Sequence, residues 1–350
     1  MPRSALLRSW LDKLFASQYP DKDFLVEPAS ADASFRRYFR VSLPDGNTRI
    51  VMDAPPERED CRPFLKVAAL FSAAGVHVPT VYAEDLDQGF LLLSDLGSAT
   101  YLDVLDLDTA PRLYRDANAA LVTIQTASRP GVLPDYDRAL LERELELFPD
   151  WYVARHLGAK LDVDQQTTLR TVFDRILANN LAQPRVYVHR DYHSRNLMVC
   201  GMAGSNGTSA RASSIHENPG IIDFQDAVYG PITYDLVSLY RDAYIHWEEA
   251  QELDFVIRYW EMARKAGLPV HADFHDFYRD YEWMGAQRQL KVLGIFARLC
   301  HRDGKESYLK DMPRVLSYLR QTCERYLELR PLARLLDQLE NRQVVAGYTF

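Results

Sequence analysis

A short polar loop carries the residues best placed for chemistry. Between two apolar stretches, His189, Asp191 and Asn196 follow an H-x-D-x-x-x-x-N spacing. A carboxylate at this place can accept a proton from a reacting hydroxyl, and an amide oxygen later in the same loop can bind a metal ion. The spacing is typical of phosphoryl-transfer loops, which need an aligned hydroxyl and compensated charge rather than covalent catalysis. We predict that Asp191 is the catalytic base, that Asn196 is a metal ligand and that His189 is structural.

A second carboxylate follows a short apolar strand further along the chain. Asp223 comes after two isoleucines in the segment Gly220–Asp226, a typical place for a ligand that bridges magnesium to phosphates. We expect this strand and the apolar strand that follows Asn196 to form a two-stranded ribbon. The ribbon would bring Asp223 close enough to Asn196 for both side chains to bind one metal ion. Asp226 is either a second metal carboxylate or a polar group facing the acceptor. Residues 201–219, rich in Gly, Ser, Asn and Ala, predict a flexible surface loop between the strands.

The elements around these segments divide into a sheet-rich part and a helical part. Periodicity predicts a helix over 4–17, then strands over 34–42, 48–52, 81–84 and 89–94, with a helix over 58–74 among them. Beyond residue 97 it predicts helices over 100–127, 139–157, 164–182, 234–266, 272–300 and 313–339. We therefore expect a nucleotide-binding lobe over 1–95 and a helical lobe over 96–350 that carries the catalytic loop and the acceptor site.

Two further segments support a family resemblance. These segments, which supplement the catalytic ones, are the stretch Leu91–Gly97 and the triplet Tyr234-Asp235-Leu236. Together they resemble the aminoglycoside phosphotransferase and choline kinase group of small-molecule kinases over nearly the whole chain. The resemblance implies an α+β, bilobal, protein-kinase-like fold that uses ATP and Mg²⁺, with adenine held at a hinge that includes Leu93 and Asp95. It also implies that Asp235 is structural and ties the following helix to the catalytic loop.

The predicted nucleotide site departs from the better-known kinase pattern. The phosphate-covering loop predicted at 29–40 has no glycine and offers Ser34, Arg36 and Arg37 instead. The third strand ends in Asp53, where such kinases carry a lysine toward the phosphates. We hypothesise that Arg36 or Arg37 replaces that lysine; the alternative is that these arginines are solvated strand residues.

Several segments resemble a narrower family, the anomeric sugar kinases that act on N-acetylmuramate and N-acetylglucosamine in cell-wall recycling. They are the segments 34–40, 51–56, 144–148 with Trp151, and 287–296. The resemblance implies a sugar acceptor and a sugar 1-phosphate product.

The acceptor is expected between the catalytic loop and the helical lobe, near the helices predicted at 139–157 and 272–300. Aromatic, polar and cationic groups suit a sugar ring with an acetamide and a lactyl carboxylate. The candidate contacts are His193, Asp226, Glu144, Trp151, Gln287 and Arg288. Helical spacing of such residues is also typical of a core, and that alternative stays open.

Bulk properties exclude some classes of function. The net charge is -8 and no basic face stands out, which argues against a nucleic-acid partner. The four cysteines form no CxxC pair, and no apolar run has membrane-spanning length. We expect a cytoplasmic monomer without a membrane partner. Two alternatives remain: a kinase for an aminoglycoside, choline or amino alcohol, and a pseudokinase used as a binding module.

Overall fold

The structure is a computed structural model that describes residues 2–20, 23–31, 35–201 and 218–340. Its strands are β1 (Leu25–Ala31), β2 (Arg37–Ser42), β3 (Thr48–Asp53), β4 (Val81–Asp85), β5 (Phe90–Ser94), β6 (Arg185–Val188), β7 (Leu197–Met198), β8 (Gly220–Ile221) and β9 (Val228–Pro231). Its α-helices are α1 (Arg3–Phe15), α2 (Arg62–Ala74), α3 (Tyr101–Val104), α4 (Ala110–Thr126), α5 (Arg138–Leu145), α6 (Val163–Ala182), α7 (Tyr234–Tyr240), α8 (Glu249–Lys265), α9 (Phe274–Asp303), α10 (Met312–Arg325) and α11 (Arg330–Leu339). A π-helix spans Phe148–His156 and a 3₁₀-helix spans Glu306–Asp311. Most of the loop predicted as flexible, 201–219, lies outside the described residues.

The chain forms two compact units. The N-terminal unit contains residues 1–99 and 198–226, and the C-terminal unit contains residues 100–197 and 227–350. The sequence predicts continuous lobes that meet at residues 95 and 96, whereas the first unit also includes the later segment that carries Asp223. Sequence motifs taken one at a time do not predict that residues 198–226 belong to the first unit.

The N-terminal unit is built on a five-stranded sheet in the order β1-β2-β3-β5-β4, with antiparallel neighbours. Helix α1 packs against this sheet because its apolar residues recur at helical spacing. The resulting core contains Leu7, Trp10, Leu11, Phe15, Phe24, Val41, Leu43, Val51, Phe90 and Leu92. In the register of β2 and β3, Arg37 lies opposite Asp53. The sheet therefore fixes the carboxylate that stands where a lysine was expected.

The predicted phosphate-covering loop at 29–40 is partly wrong. Strand β1 continues to Ala31 and β2 begins at Arg37, and these two residues are paired in the sheet. The two strands therefore cover much of the range that was predicted as a loop. Sequence analysis did not assign β1, which contains Pro28; proline is tolerated on an edge strand, and the register shifts between Pro28 and Ser30.

The C-terminal unit is mainly helical and contains one small ribbon, β6 paired with β9. Three segments predicted as single helices are each divided into two helices: 100–127, 234–266 and 313–339. In two cases a proline marks the second start, since Pro111 and Pro331 lie in the first turn of α4 and α11. Proline has no backbone N–H to lose at that position, so it begins a helix there rather than continuing one.

Helix α9 is the long central element of the C-terminal unit. Almost every residue from Phe277 to Ala297 is buried, including charged and amide side chains. The helix ends at Gly304, which adopts φ +68° and accommodates the left-handed turn of a helix C-terminus. Because α9 is buried on all faces, its polar residues must meet partners or ligands inside the unit.

No helix of the described residues combines the length and the apolar character needed to cross a membrane.

Candidate active site

The catalytic loop begins where strand β6 ends, and Asp235 holds its first turn. The Asp235 carboxylate accepts backbone hydrogen bonds from His189 N at 2.7 Å and Arg190 N at 3.0 Å. Arg190 adopts φ +77°, a left-handed conformation that is costly for a residue with a side chain. The two hydrogen bonds to Asp235, at the start of α7, stabilise this turn. This geometry gives Asp235 the positioning role that the family resemblance implies.

Further hydrogen bonds hold the middle of the loop. Asp242 accepts from both the backbone N and the hydroxyl of Ser194, at 2.9 and 2.5 Å. The Tyr192 hydroxyl donates to the Ala117 carbonyl at 2.9 Å, and Leu102 N donates to the Ser194 carbonyl at 3.0 Å. The loop is thus fixed on both sides of the residues that would react.

The Asp191 carboxylate is left without a hydrogen-bond donor among the described residues. Burial acts to raise the pKa of Asp191, but the nearby Lys291, His193 and Arg288 outweigh it and hold the pKa below its ordinary value. Asp191 is therefore ionised near neutral pH and keeps its lone pairs available. An ionised carboxylate in this state suits a group that accepts a proton from a hydroxyl.

Asn196 and His189 are oriented by the backbone of the same loop. The Asn196 Nδ2 donates to the Asp191 carbonyl at 3.0 Å, which determines where its amide oxygen points. The buried His189 ring accepts from Asp191 N at 3.3 Å through Nδ1. His189 supports the loop from inside, as a structural residue does.

A buried charged network surrounds Glu144. Its carboxylate accepts from Arg190 at 2.5 Å, Lys291 at 2.9 Å and Gln287 at 3.2 Å, and it also binds the Tyr136 hydroxyl. Burial acts to raise the pKa of Glu144, yet Lys291 and Arg190 together lower it, so Glu144 is ionised. Glu144 and Gln287, predicted as substrate contacts, are buried and bonded to each other. Their positions favour a role in holding Arg190 and Lys291.

His193 lies among aromatic and cationic side chains. Its ring centroid is 5.6 Å from that of Tyr244, and Arg195 stacks over Tyr244 at 4.8 Å. The His193 Nδ1 is enclosed and has no hydrogen-bond partner among the described residues. Burial lowers the pKa of His193, so its ring is neutral near pH 7.

Arg288 and Trp151, the remaining predicted acceptor contacts on helices, differ in their surroundings. Arg288 is 5% exposed, and its Nε is enclosed without a hydrogen-bond partner in the described part of the chain. Trp151 lines a shallow depression with Asp150, Ala154 and Arg155 of the π-helix. No catalytic-loop residue lines that depression.

A larger cavity of about 800 Å³ lies elsewhere in the C-terminal unit. Its lining includes Tyr152, Trp247 and Tyr318 but no residue of the loop 188–198. We therefore do not assign the acceptor to this cavity.

The carboxylate of Asp223 is held by its own unit. Phe224 is buried with its ring 4.9 Å from Phe64 and 5.9 Å from Phe71, both on α2. Asp223 itself has φ +64°, and its Oδ1 accepts from Gln225 Nε2 at 2.9 Å. A buried aromatic next to a left-handed aspartate thus presents the carboxylate in a defined direction. Asp226, at the end of this segment, is exposed.

The predicted hinge carboxylate already has a cationic partner. Asp95 accepts from Arg40 Nε and Nη2 at 2.6 and 3.0 Å, and from Gly97 N at 2.9 Å. Burial raises the pKa of Asp95, but the bond from Arg40 and the Gly97 N–H outweigh it and lower the pKa. Leu93 lies inside β5, paired with Ile50 of β3 and Val81 of β4. The Asp95 carboxylate is therefore already paired, and the adenine contact predicted at this segment would have to use backbone groups; that contact stays a prediction.

The candidate phosphate-binding arginines are also paired. Arg37 forms an ion pair with the fully buried Asp53, which also accepts from Arg3 Nε at 2.8 Å. Arg36 Nε lies 3.7 Å from Glu59 Oε2. Ser34, the third predicted contact of this group, lies outside the described residues. Either arginine would have to share its charge between a carboxylate and a phosphate.

The predicted ligands Asn196 and Asp223 carry oxygen atoms of the kind that bind magnesium together with a nucleotide. The described residues contain no group of three His, Cys, Asp or Glu that could hold a metal unaided. Magnesium is characteristically bound by one or two carboxylates together with substrate phosphates and water. A carboxylate at Asp223 and an amide oxygen at Asn196 match that chemistry. Their separation stays a prediction.

Sequence analysis did not identify two residues that contact the loop, Asp242 and Tyr244. Each acts through contacts between distant parts of the chain, with Ser194 and His193 respectively. Neither residue belongs to a linear pattern that would have predicted these contacts.

Comparisons with known proteins identify the family. A family model described as "Phosphotransferase enzyme family" matches residues 25–274. The chain is 49% identical to an N-acetylmuramate/N-acetylglucosamine kinase of Neisseria meningitidis over all of both chains. It is also 49% identical to a protein of that name from Pseudomonas aeruginosa, over 95% of this chain and 96% of the relative.

Solved structures show the same fold at low sequence identity. A choline kinase from Streptococcus pneumoniae matches with a TM-score of 0.61 and 13% identity, over 90% of this chain and 99% of that one. A putative aminoglycoside phosphotransferase from Ralstonia eutropha matches with a TM-score of 0.60 and 13% identity, over 92% and 98%. The predicted α+β protein-kinase-like fold is confirmed.

Proposed function

The chain belongs to the phosphotransferase enzyme family as a small-molecule phosphotransferase, and we propose that it transfers the γ-phosphoryl group of ATP to an amino sugar. The acceptors are N-acetylmuramate and N-acetylglucosamine, the sugars in the names of its relatives. The observation that carries the proposal is the ionised Asp191 carboxylate, fixed in the catalytic loop without a donor among the described residues.

Asp191 accepts the proton of the sugar hydroxyl as that oxygen bonds to phosphorus and the bond from phosphorus to ADP breaks. Because the transition state is loose, the proton moves late and the carboxylate remains ionised until then. The Asp235 and Asp242 hydrogen bonds keep the loop in place, so little reorganisation is needed at the moment of reaction.

Asn196 and Asp223 would hold Mg²⁺, which supplies charge compensation on the phosphates. The ribbon of β7 and β8 precedes Asp223 in the chain, and the packing of Phe224 against α2 directs the carboxylate. We further propose that the reacting group is the anomeric hydroxyl, that the product is the 1-phosphate, and that the enzyme acts in cytoplasmic cell-wall recycling.

The charges near Asp191 favour a neutral or anionic acceptor. Lys291 and Arg288 both act on the pKa of Asp191, and Arg288 has no carboxylate partner among the described residues. A polycationic aminoglycoside or a choline cation would meet like charge at this place. These groups therefore support an amino sugar over the cationic acceptors of related kinases.

An acceptor panel tests the proposal. Purified enzyme with ATP and Mg²⁺ should release ADP with N-acetylmuramate and N-acetylglucosamine, and release should stop when EDTA removes the metal. Choline and an aminoglycoside should give at most a few per cent of that rate. Turnover confined to the cationic acceptors would overturn the sugar assignment, and absence of metal-dependent turnover with every acceptor would favour a pseudokinase.

A further inference from the structure

Helix α9 contains a buried cation that has no direct carboxylate partner among the described residues. Arg288 is 5% exposed, and no hydrogen-bond acceptor, carboxylate partner or aromatic ring engages its guanidinium among the described residues. Leaving a charged group buried and unpaired costs free energy, which a bound ligand of opposite charge can recover.

The spacing on α9 places Arg288 on the side that faces the catalytic loop. Lys291, one turn further along, lies 2.9 Å from Glu144 in the network beneath the loop. Phe296, two turns beyond Arg288, packs 6.3 Å from Tyr244, whose ring meets His193. Residues three or eight positions apart lie on the same side of a helix. Around the circumference of α9, Arg288 therefore lies between Lys291 and Phe296.

Arg288 acts on the base without pairing with it. The charge of Arg288 acts on the pKa of both Asp191 and His193, as expected from its place on the loop-facing side of α9. Among the described residues, no ion pair joins Arg288 to Asp191. A cation near the base, but not bound to it, can bind a second group of an acceptor whose hydroxyl meets Asp191.

We propose that Arg288 binds the lactyl carboxylate of N-acetylmuramate and so sets the preference between the two sugars. This inference rests on the proposed function, because it identifies the acceptor by its carboxylate. The two sugars differ by this lactyl group alone. A guanidinium offers paired N–H donors that match a carboxylate. Since the protein folds with Arg288 unpaired, the site also admits N-acetylglucosamine, which leaves the guanidinium as it is in the free enzyme.

The test is a double comparison of enzyme and acceptor. Wild type, Arg288→Gln and Arg288→Lys are each assayed for kcat/KM with N-acetylmuramate, its neutral methyl ester and N-acetylglucosamine. In Arg288→Gln, the ratio of kcat/KM for N-acetylmuramate to that for N-acetylglucosamine should fall about ten- to hundredfold, the size of a hydrogen-bonded charge pair. The lysine variant should recover part of the ratio, and the methyl ester should behave like N-acetylglucosamine in every enzyme.

A matched control is Arg279→Gln, on the same helix but paired with Glu328, which should leave the ratio unchanged. An equal loss with both sugars would overturn the inference, because Arg288 would then serve the phosphoryl group or the fold. Unchanged ratios would overturn it as well. If the wild type phosphorylates neither sugar, the proposed function fails first, so the two failures are distinguishable.

Discussion

Two buried regions of the C-terminal unit each contain an arginine, and the two arginines differ in whether they have hydrogen-bond and ion-pair partners. Arg241 is 1% exposed and fully engaged, bonding to Glu252 at 2.7 Å, Glu282 at 3.0 Å and Thr322 at 2.8 Å. Arg288, on the helix that also carries Glu282, has no such partner among the described residues. The comparison distinguishes buried polar groups that stabilise the fold through protein partners from those that we propose bind a substrate.

The same division applies to the carboxylates. The carboxylates of Asp235 and Asp242 accept hydrogen bonds from the loop backbone, whereas the Asp191 carboxylate in that loop accepts none from the described residues. Removal of a paired group should reduce stability, because its partners remain buried and uncompensated. Removal of an unpaired group should reduce activity and leave stability nearly unchanged.

The largest expected effect is on turnover. Asp191→Asn removes the proton acceptor without removing a hydrogen bond, so kcat should fall ~10²- to 10⁴-fold. The melting temperature and the affinity for ATP should stay close to those of wild type. Steady-state kinetics and nucleotide titration measure these quantities. Turnover like that of wild type would require a different base.

Next in size is the paired arginine. Arg241→Met leaves Glu252 and Glu282 buried without their cation, so the free energy of unfolding should fall by about 3–5 kcal/mol. Arg288→Met, the matched variant, should cost less than ~1 kcal/mol because no partner is abandoned. Urea titration of both variants measures the difference. Equal losses would remove the distinction between the two regions.

A pH effect is expected at Asp235. Burial raises its pKa to about 7, although the His189 and Arg190 N–H groups act to lower it. Between pH 5 and pH 7 the folded protein therefore keeps a proton that the unfolded chain has released. Stability from this group falls as the pH rises through that window, by ~2 kcal/mol.

Asp235→Asn removes this titration, so the decline from pH 5 to pH 8 should be smaller in the variant than in wild type. Urea titrations at the two pH values measure it. Parallel stability curves for the two proteins would show that Asp235 does not titrate in this range.

The smallest effect concerns the arginines that already have partners. If Arg36 or Arg37 replaces the missing lysine, alanine at both should raise the KM for ATP about fivefold, or ~1 kcal/mol. Arg62→Ala, an exposed arginine of the same unit, is the control. Unchanged ATP affinity in the double variant would exclude this replacement.

Sequence analysis predicted most of the chemistry because Asp191, Asn196 and Asp223 belong to linear patterns. It also located most strands and helices, but it joined helices that Pro111 and Pro331 separate. Whether a buried side chain has a partner could not be predicted from the sequence. Glu144 and Arg288 were equal candidates for the acceptor, and only the tertiary packing distinguishes the bonded carboxylate from the unpaired cation.

The position of the new phosphate bond tests the account most directly. Enzyme, ATP and Mg²⁺ are incubated with N-acetylmuramate, and the product is examined by ¹³C and ³¹P NMR. The account predicts a phosphorus coupling on the anomeric carbon, formed by wild type and absent with Asp191→Asn. A coupling on another carbon would contradict the anomeric assignment, and an unchanged sugar would contradict the proposed acceptor.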